Sequence, residues 1–305
     1  MTIDRGEGPI MSEEETIRER KNTSEQKMSE ENVRAEKMSE QQMSAEKISE
    51  QKQLVQEQFG RVARAYVDSA MHNNQTALEA VVAAVDPHAD WLVLDVATGG
   101  GHVAKALAGM VKHVVASDLT PRMLAEARSH IRDVSGIDNV SYVTADAEQL
   151  PFLSDTFDAV TCRIAPHHFP NPRQFVQEVA RVLKPGGRFV LVDNIVPEDG
   201  ALAAWYNTVE HLRDRSHIRC APATQWQEWI AAAGLVFERG QASWKKFEFE
   251  SWALRMVTSE QQYREVLEYI QSAPKAAADY FQVEFVEGKV LSFQGLEWLA
   301  VSHKP

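Results

Sequence analysis

The chain has 305 residues, 44% of them hydrophobic, with a formal net charge of −12 and only two cysteines. That is enough apolar material for one large domain or two ordinary ones, while the acidic balance argues against a nucleic-acid backbone or an anionic membrane as main partner. Cys162 and Cys220 exclude a disulfide framework and fit a reducing compartment.

The chain opens on a charged, polar segment with no apolar stretch of signal-peptide length, and no apolar run approaches the ~18 residues of a membrane span. A soluble, cytoplasmic protein is therefore expected. Residues 1–52 repeat with a ten-residue period: Lys27, Lys37 and Lys47 are followed by Met28, Met38 and Ile48, then by Ser29, Ser39 and Ser49. Val33 and Met43 fall halfway, so apolar residues are five apart and successive ones lie roughly 140° apart on a helix. No stripe forms, which predicts a solvated helix or a disordered tail.

A folded domain is expected over 53–305. An amphipathic helix is predicted through Phe59, Val62, Ala63, Tyr66 and Val67, and another over 75–85. Short apolar runs then alternate with helices, at Trp91–Ala97, His113–Leu119, Val140–Ala145, Phe157–Arg163 and Arg188–Asp193. Thr120-Pro121 and Asn171-Pro172 mark helix starts, and Lys184-Pro185-Gly186-Gly187 turns the chain into the next strand. This alternation predicts an α/β fold with a doubly wound, mostly parallel sheet. The insertion over 200–233 is expected to act as a lid together with the helix around Phe59 and Tyr66. Beyond residue 235 a strand–helix–strand pattern ends at Leu296–His303, suiting an antiparallel closure of the sheet.

In such a sheet, ligands bind outside the carboxyl ends of the strands. The first strand runs into Asp95-Val96-Ala97-Thr98-Gly99-Gly100-Gly101-His102, where glycines admit a close ligand and expose helix N-terminal amides. Asp118, twenty-three positions after Asp95, is placed to receive the hydroxyls of a ribose. Gly99-x-Gly101-x-x-Ala104 also satisfies a loose dinucleotide fingerprint, so a nicotinamide-dependent oxidoreductase stays open at this point. Asp95 before the loop would repel a pyrophosphate and favour a cationic amino-acid moiety. Asp146 at the third strand end, followed by Ala147, could accept from an adenine amino group.

Together LDVATGGGH, ASDLTPRML, TADAEQLPFLSDTFDAVTCR and RVLKPGGRFVLVD resemble the class I S-adenosylmethionine-dependent methyltransferases. The nearest likeness is to the ubiquinone/menaquinone-biosynthesis C-methyltransferase group and its small-molecule relatives, over roughly 54–305. The resemblance implies a Rossmann-like, seven-stranded sheet whose last strand is antiparallel. It implies that Asp95 and the backbone of Ala97, Thr98, Gly99 and Gly101 hold the methionine end of the cofactor. Asp118 would take the ribose, Leu119 and Met123 would lie against the adenine, Asp146 and Ala147 would read its edge, and Arg163 would face the sulfonium. Ala97 departs from the glycine found in many members.

Methyl transfer from a sulfonium asks the protein chiefly for alignment and a dry pocket, with a base where the acceptor needs one. Candidates at the fourth and fifth strand ends are His167, His168 and Asp193, with His167 expected in the pocket and His168 packed. Arg213, His217 and Arg219, in an LRDRSHIR segment similar to one in the same relatives, could contact the acceptor, the two arginines clamping an anionic group. No Cys/His spacing supports a metal. The place after the fourth strand reads Arg163-Ile164-Ala165-Pro166, not the Asn/Asp-Pro-Pro-Tyr type of enzymes that methylate base amines, so a small-molecule acceptor is expected and nucleic acid is not. A protein that binds the cofactor on this fold without methyl transfer is the remaining alternative. Asp118→Ala is expected to weaken cofactor binding by ~1–3 kcal/mol; an unchanged dissociation constant in equilibrium titration would remove Asp118 from the site.

Overall fold

The computed structural model describes residues 46–64 and 74–305, and the chain divides into two compact units, Met1–Glu50 and Gln51–Pro305. Of the first unit, 46–50 are described and helical. The rest of the repeat, together with Tyr66 and Val67, lies outside the described residues. The second unit begins at Gln51, so Gln51 and Lys52 stand with the folded part and not with the tail.

The second unit opens on helix α1 (51–64), followed by α2 (Gln75–Val85), which Asn74 caps by accepting from the Ala77 N–H. Strands and helices then alternate: β1 (Leu92–Val96), α3 (His102–Ala108), β2 (His113–Asp118), α4 (Pro121–Arg128), β3 (Val140–Thr144) and β4 (Phe157–Arg163). A 3₁₀ turn (Pro166–His168) precedes α5 (Pro172–Val182) and β5 (Leu183–Ile195). Asn171 caps α5 from the Gln174 N–H, with Pro172 at the first helical position. Thr120 stands at the start of α4 but makes no side-chain cap; the Asp118 carboxylate takes the Thr120 N–H instead, at 2.8 Å. The insertion carries α6 (Gly200–Arg213) and α7 (Ala223–Ala232). The chain closes with β6 (Val236–Glu248), α8 (Phe249–Leu254), α9 (Glu260–Gln271), α10 (Lys275–Tyr280), β7 (Glu284–Val286) and β8 (Lys289–His303).

The strands form one sheet in the order β3-β2-β1-β4-β5-β8-β6. β1 to β5 are parallel, while β8 runs antiparallel between β5 and β6. The short β7 pairs with β8 as an eighth strand beside the seven-stranded path. Strand order reverses between β1 and β4, so a crevice opens at their carboxyl ends.

Both faces are covered, as parallel strands require. On β5, Leu191 enters one core with Phe175, Phe189, Trp226 and Ile230, whereas Val190 and Val192 enter the opposite core with Val85, Leu107 and Ile131. A third cluster lies beneath the insertion, where Trp205, Tyr206 and Val209 meet Trp252, Phe281 and Phe293. No helix among the described residues is long and apolar enough to cross a membrane.

Candidate active site

The strand ends bring four charged side chains to one edge of the sheet. Asp95 is the next-to-last residue of β1, Asp118 closes β2, Asp146 follows β3 and Arg163 closes β4. They border an open cleft at the carboxyl ends of the strands. Ala97, Thr98, Gly99, Leu119, Met123, Ala147, His168 and Phe59 also line it.

Asp95 is 1% exposed and accepts from Thr98 Oγ1 at 2.6 Å and Thr161 Oγ1 at 2.7 Å. Burial raises its pKa to about 6, against the lowering effect of those two hydroxyls. Asp118 accepts from the Gly99 N–H at 3.0 Å on one oxygen and from the Thr120 N–H on the other, leaving lone pairs free on both. Burial raises its pKa too, and the backbone donors oppose that.

The loop between Asp95 and α3 is held in a tight form. Gly99 and Gly101 have φ of 55° and 80°. A Cβ on Gly101 would come within 2.7 Å of Ile131 Cδ1, so only glycine fits where this loop meets α3. Gly101 thus caps α3 and does not line the cleft, unlike Gly99 and Gly100. Two non-glycine residues of the wall share the left-handed region, Ala97 at φ 52° and Ile164 at 54°. A β-branched side chain there is a true outlier costing on the order of 1–3 kcal/mol, and it sets the exit of β4 into the 3₁₀ turn.

The histidines take the reverse of the expected order. His168 lines the cleft and His167 does not. His167 lies behind, its Nδ1–H donating to Asp193 Oδ1 at 2.6 Å, with both side chains buried. Burial pulls the His167 pKa down, but the Asp193 carboxylate outweighs it and holds the imidazole above the usual histidine range. His168 donates Nδ1–H to the Ser216 carbonyl at 2.9 Å, and its Nε2 stands 4.0 Å from Asp214 Oδ2. Burial and the neighbouring His167 charge lower its pKa to about 4, so it is neutral at pH 7. The edge of Phe59 meets the His168 ring at 5.0 Å.

The LRDRSHIR segment supports this wall without entering the cleft. The Ile218 and Arg219 N–H groups both donate to the His167 carbonyl, which docks the segment on the 3₁₀ turn. Arg213 stacks over Trp252 at 4.4 Å and pairs with Glu210 at 3.4 Å, so it is consumed internally. Arg219 is exposed and bonds Gln225. Buried His217 bonds Asn207 at 3.0 Å, with burial driving its pKa well below the usual value. The expected anion clamp is therefore not assembled, because both guanidinium groups are engaged away from the cleft.

Residues given no role from the sequence also line the cleft, among them Lys52 and Val55 on α1, then His102, Glu148, Ile164 and Phe169. Lys52 was hidden in charged, repetitive sequence; only its place at the end of the repeat set it apart. Among the described residues no group of His, Cys, Asp and Glu could hold a metal ion.

A family model described as a methyltransferase domain matches residues 94–191. The chain is 34% identical over 236 residues to the uncharacterized methyltransferase YcgJ of Bacillus subtilis, covering 77% of this chain and 93% of that protein. It is 40% identical to a demethylmenaquinone methyltransferase of Clavibacter sepedonicus over 147 residues, 47% of this chain and 59% of that one. Among solved structures, the BH2331 protein of Bacillus halodurans C-125 superposes with a TM-score of 0.73 at 43% identity, covering 75% of this chain and 99% of the other.

His167→Ala would leave the Asp193 carboxylate buried without its partner, a loss of roughly 3–5 kcal/mol. The folded state binds the His167 proton more tightly than the unfolded chain does. The pair's contribution is then fully present below the ordinary histidine pKa and lost as pH rises through the raised value. Denaturant unfolding should show a larger deficit for His167→Ala at pH 6 than at pH 9; equal deficits would separate His167 from this ion pair.

Proposed function

The chain belongs to the class I S-adenosylmethionine-dependent methyltransferase family, and from that premise we propose that it methylates a small-molecule acceptor, in the cytosol, inside the cleft between α1 and the strand ends. The observation that carries this reading is the mixed lining of the cleft, where the acids and the glycine loop are joined by the apolar Val55, Phe59, Ile164, Ala165, Phe169 and Pro170. A cleft with this apolar lining suits a small molecule better than a polymer, and a net charge of −12 disfavours nucleic acid.

The residues fit the cofactor. Asp95 is a buried carboxylate with hydroxyl partners and, among the described residues, no ion pair, which a cationic amino-acid moiety would complete. In our assignment Asp118 takes the ribose hydroxyls, Leu119 and Met123 face the adenine, Asp146 and Ala147 read its edge, and Arg163 borders the sulfonium end. Bound S-adenosylmethionine supplies an electrophilic methyl group. This chain's residues align the acceptor, exclude water and leave the chemistry to proximity. His168, neutral, offers the acceptor side an uncharged wall; His167 and Asp193 hold that wall from behind. A nicotinamide reading finds no support, since the same loop presents Asp95 where a pyrophosphate would lie.

Metabolite profiling with methyl-labelled methionine, in cells with and without the protein, tests the acceptor class. Label appearing in a small molecule only when the protein is present is expected; label confined to the RNA or protein fraction would overturn the proposal. A second test concerns Asp95. A cation lowers its pKa from about 6, so S-adenosylmethionine binding at pH 6 should release protons. Calorimetric enthalpy would then vary with buffer ionisation enthalpy at pH 6, less so at pH 8, and Asp95→Asn should abolish the difference. A buffer-independent enthalpy at pH 6 would place the cation elsewhere.

A further inference from the structure

Lys52 stands on α1 with its side chain 22% exposed and Nζ 2.6 Å from Asp146 Oδ2 and 2.7 Å from Glu148 Oε2. Asp146 Oδ1 accepts from the Glu148 N–H, and Glu148 Oε1 accepts from the N–H of Asn171, the cap of α5. One ammonium therefore ties α1 to the loop after β3 and, through Glu148, to the start of α5. The same helix is pinned beside it, where Gln56 Nε2 donates to the Leu119 carbonyl at 2.9 Å. Val55 and Phe59 of this helix line the cleft, so α1 covers it while Lys52 fastens one edge.

The strength of that fastening follows from its surroundings. Burial disfavours the ammonium, but its hydrogen bonds to Asp146 and Glu148, with their charges, outweigh that, and the Lys52 pKa stands above the ordinary lysine value. With the Glu148 side chain only 8% exposed, removing Lys52 leaves two carboxylates side by side without a cation. A carboxylate oxygen has two acceptor sites, so Asp146 can hold the ammonium and an exocyclic amine together.

We propose that Lys52 is the latch that keeps α1 closed over the bound nucleoside, so that breaking its pairs with Asp146 and Glu148 gates cofactor exchange. The proposal rests on the assignment of Asp146 to the adenine edge made above. Lys52 acts through α1 and Asp146, as a positioning residue. A nucleoside seated between Asp118 and Asp146 lies beneath α1 and leaves when the helix lifts.

Stopped-flow dissociation of S-adenosylhomocysteine from the full chain tests this. In the wild type, dissociation should quicken with added salt, because the latch is ionic and partly exposed. Lys52→Met should raise the dissociation rate about tenfold, change the association rate less and lose the salt effect; Lys52→Arg should restore both. Glu148→Gln removes one of the two charges and should give a smaller acceleration, which carries the test if Lys52→Met fails to fold. A wild-type rate in a folded Lys52→Met, or an acceleration that Lys52→Arg does not reverse, would overturn the latch. A wild-type chain that does not bind S-adenosylhomocysteine at all would instead overturn the assignment of the cleft.

Discussion

Asp95, next to the end of β1, shares its carboxylate between Thr98 Oγ1 in the following loop and Thr161 Oγ1 on β4. The two hydroxyls span the place where strand order reverses, so this contact fixes how far β1 and β4 part at their carboxyl ends. It also fixes the start of the glycine loop, whose Gly99 N–H reaches across to Asp118 on β2. Three strand ends are thus joined through two carboxylates. Neither carboxylate makes an ion pair within the described residues; the nearby Arg163 charge lowers the Asp95 pKa, but burial outweighs it and raises both values. The fold carries that cost at the one edge where a positively charged ligand can offset it.

The side of the cleft proposed for the acceptor is built by different means. Its walls come from α1 and from the turn after β4, not from strand ends, and its main polar group is a histidine made neutral by burial. Behind it the charges pair with one another: His167 with Asp193, and Arg213 with Glu210 while it stacks on Trp252. The insertion therefore shapes the pocket by bracing its wall. The strained backbone at Ala97 and Ile164 flanks both compartments, where rigid neighbours on β1 and β4 hold it.

Much of the fold was legible along the chain, because buried parallel strands are short apolar runs and helix ends carry their own caps. Asp95, Asp118 and Asp146 were legible for a related reason: each sits at a strand end, and a strand end in this sheet is at the ligand crevice by topology. The order of His167 and His168 was not. Adjacent residues in a 3₁₀ turn point about 120° apart, and which one meets the cleft depends on how the turn is rolled. Here the Ile218 and Arg219 amides, fifty residues away in sequence, hold the His167 carbonyl and set that roll. Arg213 departs from its expected place for a similar reason, since Trp252 and Glu210 claim it through a packing that no spacing encodes.

The amino-acid order alone thus determined the alternation of strands and helices, the glycine loop and the acids that border it, because these depend on neighbours within a few residues or on topology. Tertiary structure decided what long-range packing controls. It drew Lys52 out of a charged, repetitive segment onto Asp146 and Glu148, turned His168 rather than His167 to the cleft, and spent the arginines of the insertion on internal partners. A side chain's polarity says that it needs a partner; only the fold says which partner is near enough to satisfy it.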